Sequence, residues 1–271
     1  MELTKFGSFD KYPPRSLASA EAALLTAWRS LATYWDDLVL VGGLAVYYLT
    51  RRGIPGLPGA ITMDVDFGIT LGVEGGQYGT IPMQLSALGF ESKNSRWERK
   101  FGEITLYIDF LTEDPPNVKG PRMVDSTVAN IIPGINRALA KRRKVTVRGK
   151  DLYGVGQECL VNVVDIGPLL VLKLNAFGGP TGRRAPKDAY DVLLAVNGFL
   201  EGPEAAIAGF QAEVSENNPA FESAMECLRR DFFETNQDGP DRAAEFHPGG
   251  PDERERVRQD MVTVGRALLG S

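Results

Sequence analysis

Apolar positions along the chain fall into two rhythms. Leu17, Ala20, Leu24, Ala27, Trp28 and Leu31 recur at helical spacing, so a helix is expected from Ser16, as its cap, through about Tyr34. Leu38-Val39-Leu40-Val41 reads as a short buried strand, broken by Gly42-Gly43, with a helix over 44–52. GIPGLPGA at 53–60 is a loop by composition. Residues 61–69 alternate and are rich in β-formers, which predicts a strand; 79–90 predict a short helix ending at Gly89. Residues 97–101 and 104–111 predict two strands joined by a Gly102-Glu103 hairpin turn. Helix is expected over 126–143, interrupted at Pro133-Gly134, and strands over 145–147 and 159–164. Asp165 is expected to cap a helix through Phe177; GGPTGRRAP is a loop, and 187–197 a helix. Beyond residue 200 the pattern is helical and acidic, with a loop at 236–252 and a last helix over 254–269. No internal repeat is visible.

Strands concentrated in the first part and helices in the last point to an α+β protein. The expected division is 1–165 as a strand-bearing lobe and 166–271 as a helical lobe. The longest mostly apolar stretch, Leu38 to Leu49, falls short of the roughly 20 residues that span a bilayer. The N-terminal MELTKFGSFDKYPP lacks the apolar core of a signal peptide. The expectation is a cytoplasmic protein without a membrane partner.

Composition narrows the chemistry. Of 271 residues, two are cysteine and one is histidine, which excludes a disulfide framework, a cysteine zinc site and a two-histidine metal site. The lone His247 lies in a Pro/Gly-rich stretch, a poor setting for a catalytic triad. Carboxylates, lysines and metal ions remain.

The sharpest candidate is Thr62-Met63-Asp64-Val65-Asp66-Phe67. Residues i and i+2 of a strand share a face, so Asp64 and Asp66 present two carboxylates side by side. Such a pair needs a cation or a raised pKa, and magnesium suits two carboxylates together with substrate phosphates. A merely acidic solvent face is the bland alternative. Asp109 sits opposite the apolar face of Ile104, Leu106, Ile108 and Phe110 and is a candidate third carboxylate. Gly42-Gly43, between strand and helix, allows close backbone approach to a phosphate, although a simple turn explains it too. Lys173 lies among Leu169, Leu170, Leu172 and Leu174, and Arg183, Arg184 and Lys187 follow. Asp188 and Asp191 share a face near a helix start. Capping by Asp188 and snorkelling by Lys173 are the ordinary alternatives.

In order, Val41-Gly42-Gly43-Leu44-Ala45, Thr62-Met63-Asp64-Val65-Asp66-Phe67, Ile108-Asp109-Phe110, Lys173-Leu174-Asn175-Ala176, an arginine at 183 or 184, and Lys187-Asp188-Ala189-Tyr190-Asp191 resemble the polymerase-β-like nucleotidyltransferases. More narrowly they look like the AbiEii/AbiGii-type toxin family, over about residues 38–195. The resemblance implies a mixed β-sheet nucleotidyltransferase core with a helical C-terminal lobe. It implies transfer of a nucleoside monophosphate from an NTP (ATP, GTP or CTP) with release of pyrophosphate. It places magnesium or manganese on Asp64, Asp66 and Asp109, with Asp109 also orienting the acceptor hydroxyl. It assigns nucleotide contacts to Gly42, Gly43, Thr62, Lys173, Arg183, Arg184 and Lys187, sets Lys173 to neutralise the triphosphate, and puts Asp188 across the cleft. A serine often found after the paired glycines is Leu44 here, and GIPGLPGA lengthens the step to Asp64.

Charge bears on the acceptor. The net charge of -5 is uneven: residues 1–200 hold 23 basic and 20 acidic residues, and 201–271 hold 7 and 15. Arg137, Lys141, Arg142, Arg143, Lys144, Arg148 and Lys150 form a basic run without an acid between them. That run suits an RNA backbone, tRNA by analogy with relatives, or a solvated helix end. A toxin-like role with an antitoxin partner is one expectation. A small-molecule or protein acceptor, and a non-catalytic NTP-binding module, are the others.

Overall fold

Strand and helix segregate. In the computed structural model, which describes residues 6–70, 80–113, 121–124 and 127–270, the chain forms two compact units. One comprises Pro13–Ala45 and Thr62–Asp165; the other comprises Met1–Tyr12, Val46–Ile61 and Ile166–Ser271.

The first unit carries the sheet. Its helix α1 (Ser16–Ser30) buries Ala20, Ala23, Leu24, Ala27 and Trp28, the expected stripe. Arg15, not Ser16, holds the N-cap position, and the helix stops four residues early. A 3-10 turn over Ala32–Asp37 follows and stacks Trp35 on Trp28, ring centroids 5.9 Å apart. The strands are β1 (Leu38–Val41), β2 (Asp64–Ile69), β3 (Glu91–Lys93), β4 (Arg96–Phe101), β5 (Ile104–Thr112), β6 (Pro121–Val124), β7 (Thr127–Ile131), β8 (Arg142–Lys150) and β9 (Gly156–Val164). Their order is β3-β4-β5-β2-β1-β9-β8, with β7 joining β5 and β6. β1 runs antiparallel to β2 and parallel to β9, and β2 runs parallel to β5, so the sheet is mixed. All four residues of β1 are buried, as a central strand of consecutive apolar residues requires.

Between β1 and β2 the helix α2 (Gly42–Leu49) starts at the first glycine of the pair, and α3 (Thr80–Ala87) follows β2. Residue 79 of the helix expected over 79–90 lies outside the described residues.

The expectation for 126–143 is corrected. Residue 126 is outside the described residues; 127–131 is strand, α4 (Ile135–Ala140) is short, and β8 begins at Arg142. Gly134, at φ 94, turns the chain into α4. The basic residues belong to a strand because Val145, Thr146 and Val147 are β-branched and find a partner. β8 pairs with β9 from Arg142↔Val164 to Lys150↔Gly156.

The second unit is helical, with α5 (Ile166–Gly178), α6 (Pro186–Asn197), α7 (Pro203–Ala212), α8 (Phe221–Asp231), α9 (Asp238–Phe246) and α10 (Pro251–Leu269). A mixed β-sheet core is thus followed by a helical C-terminal part. The expected loop at 236–252 contains α9. Asp238-Gly239-Pro240 reads as a turn but forms the first helical turn, where proline's missing N–H is harmless. Burial of Ala243, Ala244 and Phe246, with Phe246 5.2 Å from the Tyr190 ring, holds that helix in place.

His247 has a structural task in this unit. It is buried, accepts a hydrogen bond from the Gly249 N–H on Nδ1 at 3.0 Å, and therefore donates from Nε2 to the Gly56 carbonyl at 2.9 Å. The lone histidine so ties the 53–60 loop to the start of α10. Among the described residues, no helix is long and apolar enough to cross a membrane.

Candidate active site

The sheet unit brings three of the expected site residues, Asp64, Asp66 and Asp109, together on neighbouring strands. The β2–β5 register sets Asp66 opposite Asp109 and Asp64 opposite Tyr107. The β1–β2 register sets Val41 beside Asp66, so Gly42 follows directly at that end of the sheet. Gly42 has φ +70, and a Cβ built on it would lie 1.8 Å from Asp66 Oδ2. Any side chain at 42 would fill the space the Asp66 carboxylate occupies. Glycine is required here twice over, by backbone conformation and by the carboxylate's room. Thr62 is buried, and its Oγ1 accepts the Asp64 N–H at 3.2 Å, fixing the entry into β2. Gly43 is the second residue of α2.

A residue outside the sequence expectations sits among the carboxylates. Arg96, the first residue of β4, donates from Nη2 to Asp109 Oδ2 at 2.6 Å and from Nε to Oδ1 at 3.1 Å. Its Nη2 is also 3.7 Å from Asp64 Oδ1. The guanidinium lies over the Tyr107 ring, 4.1 Å from the centroid. A bidentate fork on one carboxylate with an aromatic floor is the geometry arginine suits and lysine does not. Burial opposes the charge on Arg96, but attraction to Asp109 and Asp64, with Asp66 further off, outweighs it and raises its pKa.

These residues fit a divalent cation in one form. Their donors are all oxygen, as magnesium and manganese prefer, and Gly42 leaves the Asp66 carboxylate a notch. Among the described residues, however, no group of three or more His, Cys, Asp or Glu stands close enough to hold a metal ion. Asp109 is engaged by Arg96. The fit is to a pair, Asp64 and Asp66, completed by ligands from elsewhere.

The remaining expected residues form a separate charge cluster in the helical unit. Lys173 on α5 is 4% exposed and donates to Asp191 Oδ2 at 2.6 Å. Lys187, 2% exposed, donates to the same oxygen at 2.5 Å. Asp188 is fully buried; Arg183 Nε donates to its Oδ2 at 2.8 Å, and Lys173 Nζ lies 3.9 Å from its Oδ1. Burial alone would raise the Asp191 pKa, but the two lysines outweigh it and hold the carboxyl below its usual value. Lys173 therefore does not snorkel to solvent. Arg184 turns to other carboxylates, Asp238 and, at 3.1 Å, Asp231.

Arg96 escaped sequence reasoning as a site member, and Asp191 was singled out only as sharing a helix face with Asp188. Arg96 was legible in principle. The Gly102-Glu103 turn sets Phe101 opposite Ile104 and Trp97 opposite Ile108, and one more step puts Arg96 across from Asp109. Asp191 had a signal too, four residues after Lys187 on one helix face.

The basic run divides between pairing and exposure. Arg142 donates to the carbonyls of Asp36 (2.8 Å) and Leu38 (3.3 Å), Arg143 pairs with Asp165 at 2.5 Å, and Arg148 pairs with Glu158 at 2.9 Å. Lys144, Arg148 and Lys150 alternate along one exposed face of β8.

No family model matches the chain. No curated protein matches it. Among solved structures it is similar to the solution structure of the antibiotic-resistance factor ANT(2'')-Ia, at 15% identity over 71% of this chain and 91% of that one, with a TM-score of 0.33.

Proposed function

We propose that the chain is a nucleotidyltransferase that moves a nucleoside monophosphate from an NTP to an acceptor hydroxyl. The observation that supports this is the juxtaposition of Asp64, Asp66 and Asp109 on adjacent strands, with Gly42 opening a notch for the Asp66 carboxylate. The acceptor oxygen forms a bond to the α-phosphorus, the bond to the β-phosphate bridge breaks, and pyrophosphate leaves with its electron pair. Such a transfer needs positioning and charge neutralisation rather than a histidine nucleophile. Asp64 and Asp66 are the residues to hold magnesium or manganese, which when bound would neutralise charge on the phosphates and act as a Lewis acid. Asp109 is the candidate to orient and accept the proton of the acceptor hydroxyl. Thr62 keeps Asp64 in register through its backbone N–H. Gly42 and Gly43 offer backbone to the phosphates. Lys173, Lys187, Arg183 and Arg184 are the nucleotide-binding candidates of the helical unit, and Asp188 with Asp191 sets their charge.

For the acceptor, a small molecule is the reading we place before RNA. Three members of the basic run, Arg142, Arg143 and Arg148, already serve carbonyls or carboxylates within the sheet unit, which reduces the cationic track an RNA backbone would follow. Incubating the protein with each α-labelled NTP, magnesium and, separately, a mixture of hydroxyl-bearing antibiotics, total RNA and a protein lysate tests this. Label in the small-molecule fraction supports the reading. Label in RNA supports a tRNA-directed, toxin-like activity instead, and growth arrest relieved by a co-expressed antitoxin would accompany it. No transfer from any NTP by the folded protein supports a non-catalytic NTP-binding module.

A further inference from the structure

We propose that Arg96 is the resident counter-ion of the carboxylate site, and that a divalent cation competes with its guanidinium for the same carboxylates. The proposal rests on the reading of Asp64 and Asp66 as metal holders. Three aspartates, Asp64, Asp66 and Asp109, occupy one face of two paired strands, and the Arg96 guanidinium touches two of them. Carboxylates this near repel each other unless a cation stands between them. Arg96 meets that need from within the chain. Its fork takes Asp109, its Nη2 reaches toward Asp64, and the Tyr107 ring supports its plane. The side chain is partly buried, 20% exposed, so its charge is little screened by solvent.

A second cation entering this field meets a positive charge that already neutralises part of the site. Arginine stays charged at every accessible pH, so it leaves only by rotating away, not by losing its proton. Metal entry then has a structural consequence. The Asp109 fork opens, and Asp109 becomes available for another proton donor. In the proposed transfer that donor is the acceptor hydroxyl. Arg96 thus acts through Asp109 and Asp64 as a positioning residue that keeps the site closed until a metal arrives.

The experiment is titration of the full chain with Mn2+ alone, without nucleotide, followed by calorimetry and by the loss of free-ion spin resonance. Arg96→Met is expected to bind Mn2+ about tenfold tighter than the unaltered protein, because one positive charge has left a partly buried site. Arg96→Lys, which keeps the charge but loses the fork, is expected to fall between the two. Equal or weaker Mn2+ binding by Arg96→Met, with its melting temperature within a few degrees of the unaltered chain, overturns the proposal. Should Arg96→Met not fold, the unaltered protein still decides. In a nitrogen-15 spectrum the Arg96 Nε–H, held to Asp109, should exchange faster with water at saturating Mg2+, and an unchanged exchange rate overturns the proposal. Since neither readout involves an NTP, tighter Mn2+ binding in a protein that transfers nothing would remove the proposed function and leave the competition standing. Transfer activity with unchanged Mn2+ affinity would do the reverse.

Discussion

Two clusters of charge, one in each unit, solve opposite problems. In the helical unit, Lys173, Lys187 and Arg183 face Asp188 and Asp191, and the two carboxylates are almost wholly buried. In the sheet unit, Asp64, Asp66 and Asp109 lie together, and the Arg96 guanidinium contacts Asp109 and Asp64. The first named set has more cations than anions, and its carboxylates are locked by short bonds. The second has more anions than cations and lies at a strand end beside a glycine. Buried ion pairs remain tolerable only when each charge has its partner. The helical cluster satisfies that condition from within the chain. The sheet cluster, with Asp64 and Asp66 on one face of β2, is where we propose a cation from outside would bind.

Substitutions separate these roles. Asp64→Asn or Asp66→Asn should lower nucleotidyl transfer by about 10²–10³-fold, the scale of losing one preorganised charge at a reacting centre. The melting temperature should hold or rise, since one of three repelling carboxylates is gone. Steady-state transfer rates and a thermal melt on the same samples check both halves. Asp191→Asn should act in the opposite sense, costing about 3–5 kcal/mol of stability because two buried ammonium groups lose their shared partner. Urea unfolding measures it.

A smaller effect is expected at Gly42. In Gly42→Ala, the added carbon would meet the Asp66 carboxylate and a left-handed backbone would be strained, at roughly 1–3 kcal/mol. Mn2+ binding should weaken in the same variant, because Asp66 must move.

The pH dependence of Asp191 gives a further test. Burial is outweighed by the two lysines, so its folded pKa lies below the ordinary aspartate value of 3.8. A carboxyl with a lowered folded pKa stabilises fully above its unfolded value and loses that contribution as pH falls through the folded one. The stability gap between the unaltered protein and Asp191→Asn should therefore be widest at neutral pH and narrow below 3.8. Unfolding at pH 7 and at pH 3 reads it. The smallest effect is expected at the surface pair Arg148–Glu158, where both side chains are exposed. Glu158→Gln should leave the melting temperature unchanged within error.

Local sequence revealed what local chemistry decides. The buried run Leu38–Val41, the Gly102 hairpin and the alternation through Asp64 and Asp66 each carry their own signal, and each forms where expected. The pairing of Asp66 with Asp109 is a parallel contact across 43 residues, and only the fold supplies it. Only the Val145–Val147 centre of β8 was legible, and its flanks were hidden for a related reason. Its alternating basic residues look like a solvated helix end until β9 pairs with it over its whole length. Arg96 was missed because an arginine at a strand start is ordinary, and its meaning comes from the carboxylates opposite. Lys173 read as a side chain bordering a buried surface; the partners that bury it, Asp188 and Asp191, lie on another helix.

The account turns on Asp66. The most direct test is pyrophosphate release from each of the four NTPs, with magnesium and an acceptor mixture, by the unaltered protein and by Asp66→Asn at equal folded concentration. The account predicts release by the first with at least one NTP and its loss in the second. Equal release by both, or none by the folded unaltered protein with any NTP, would contradict it.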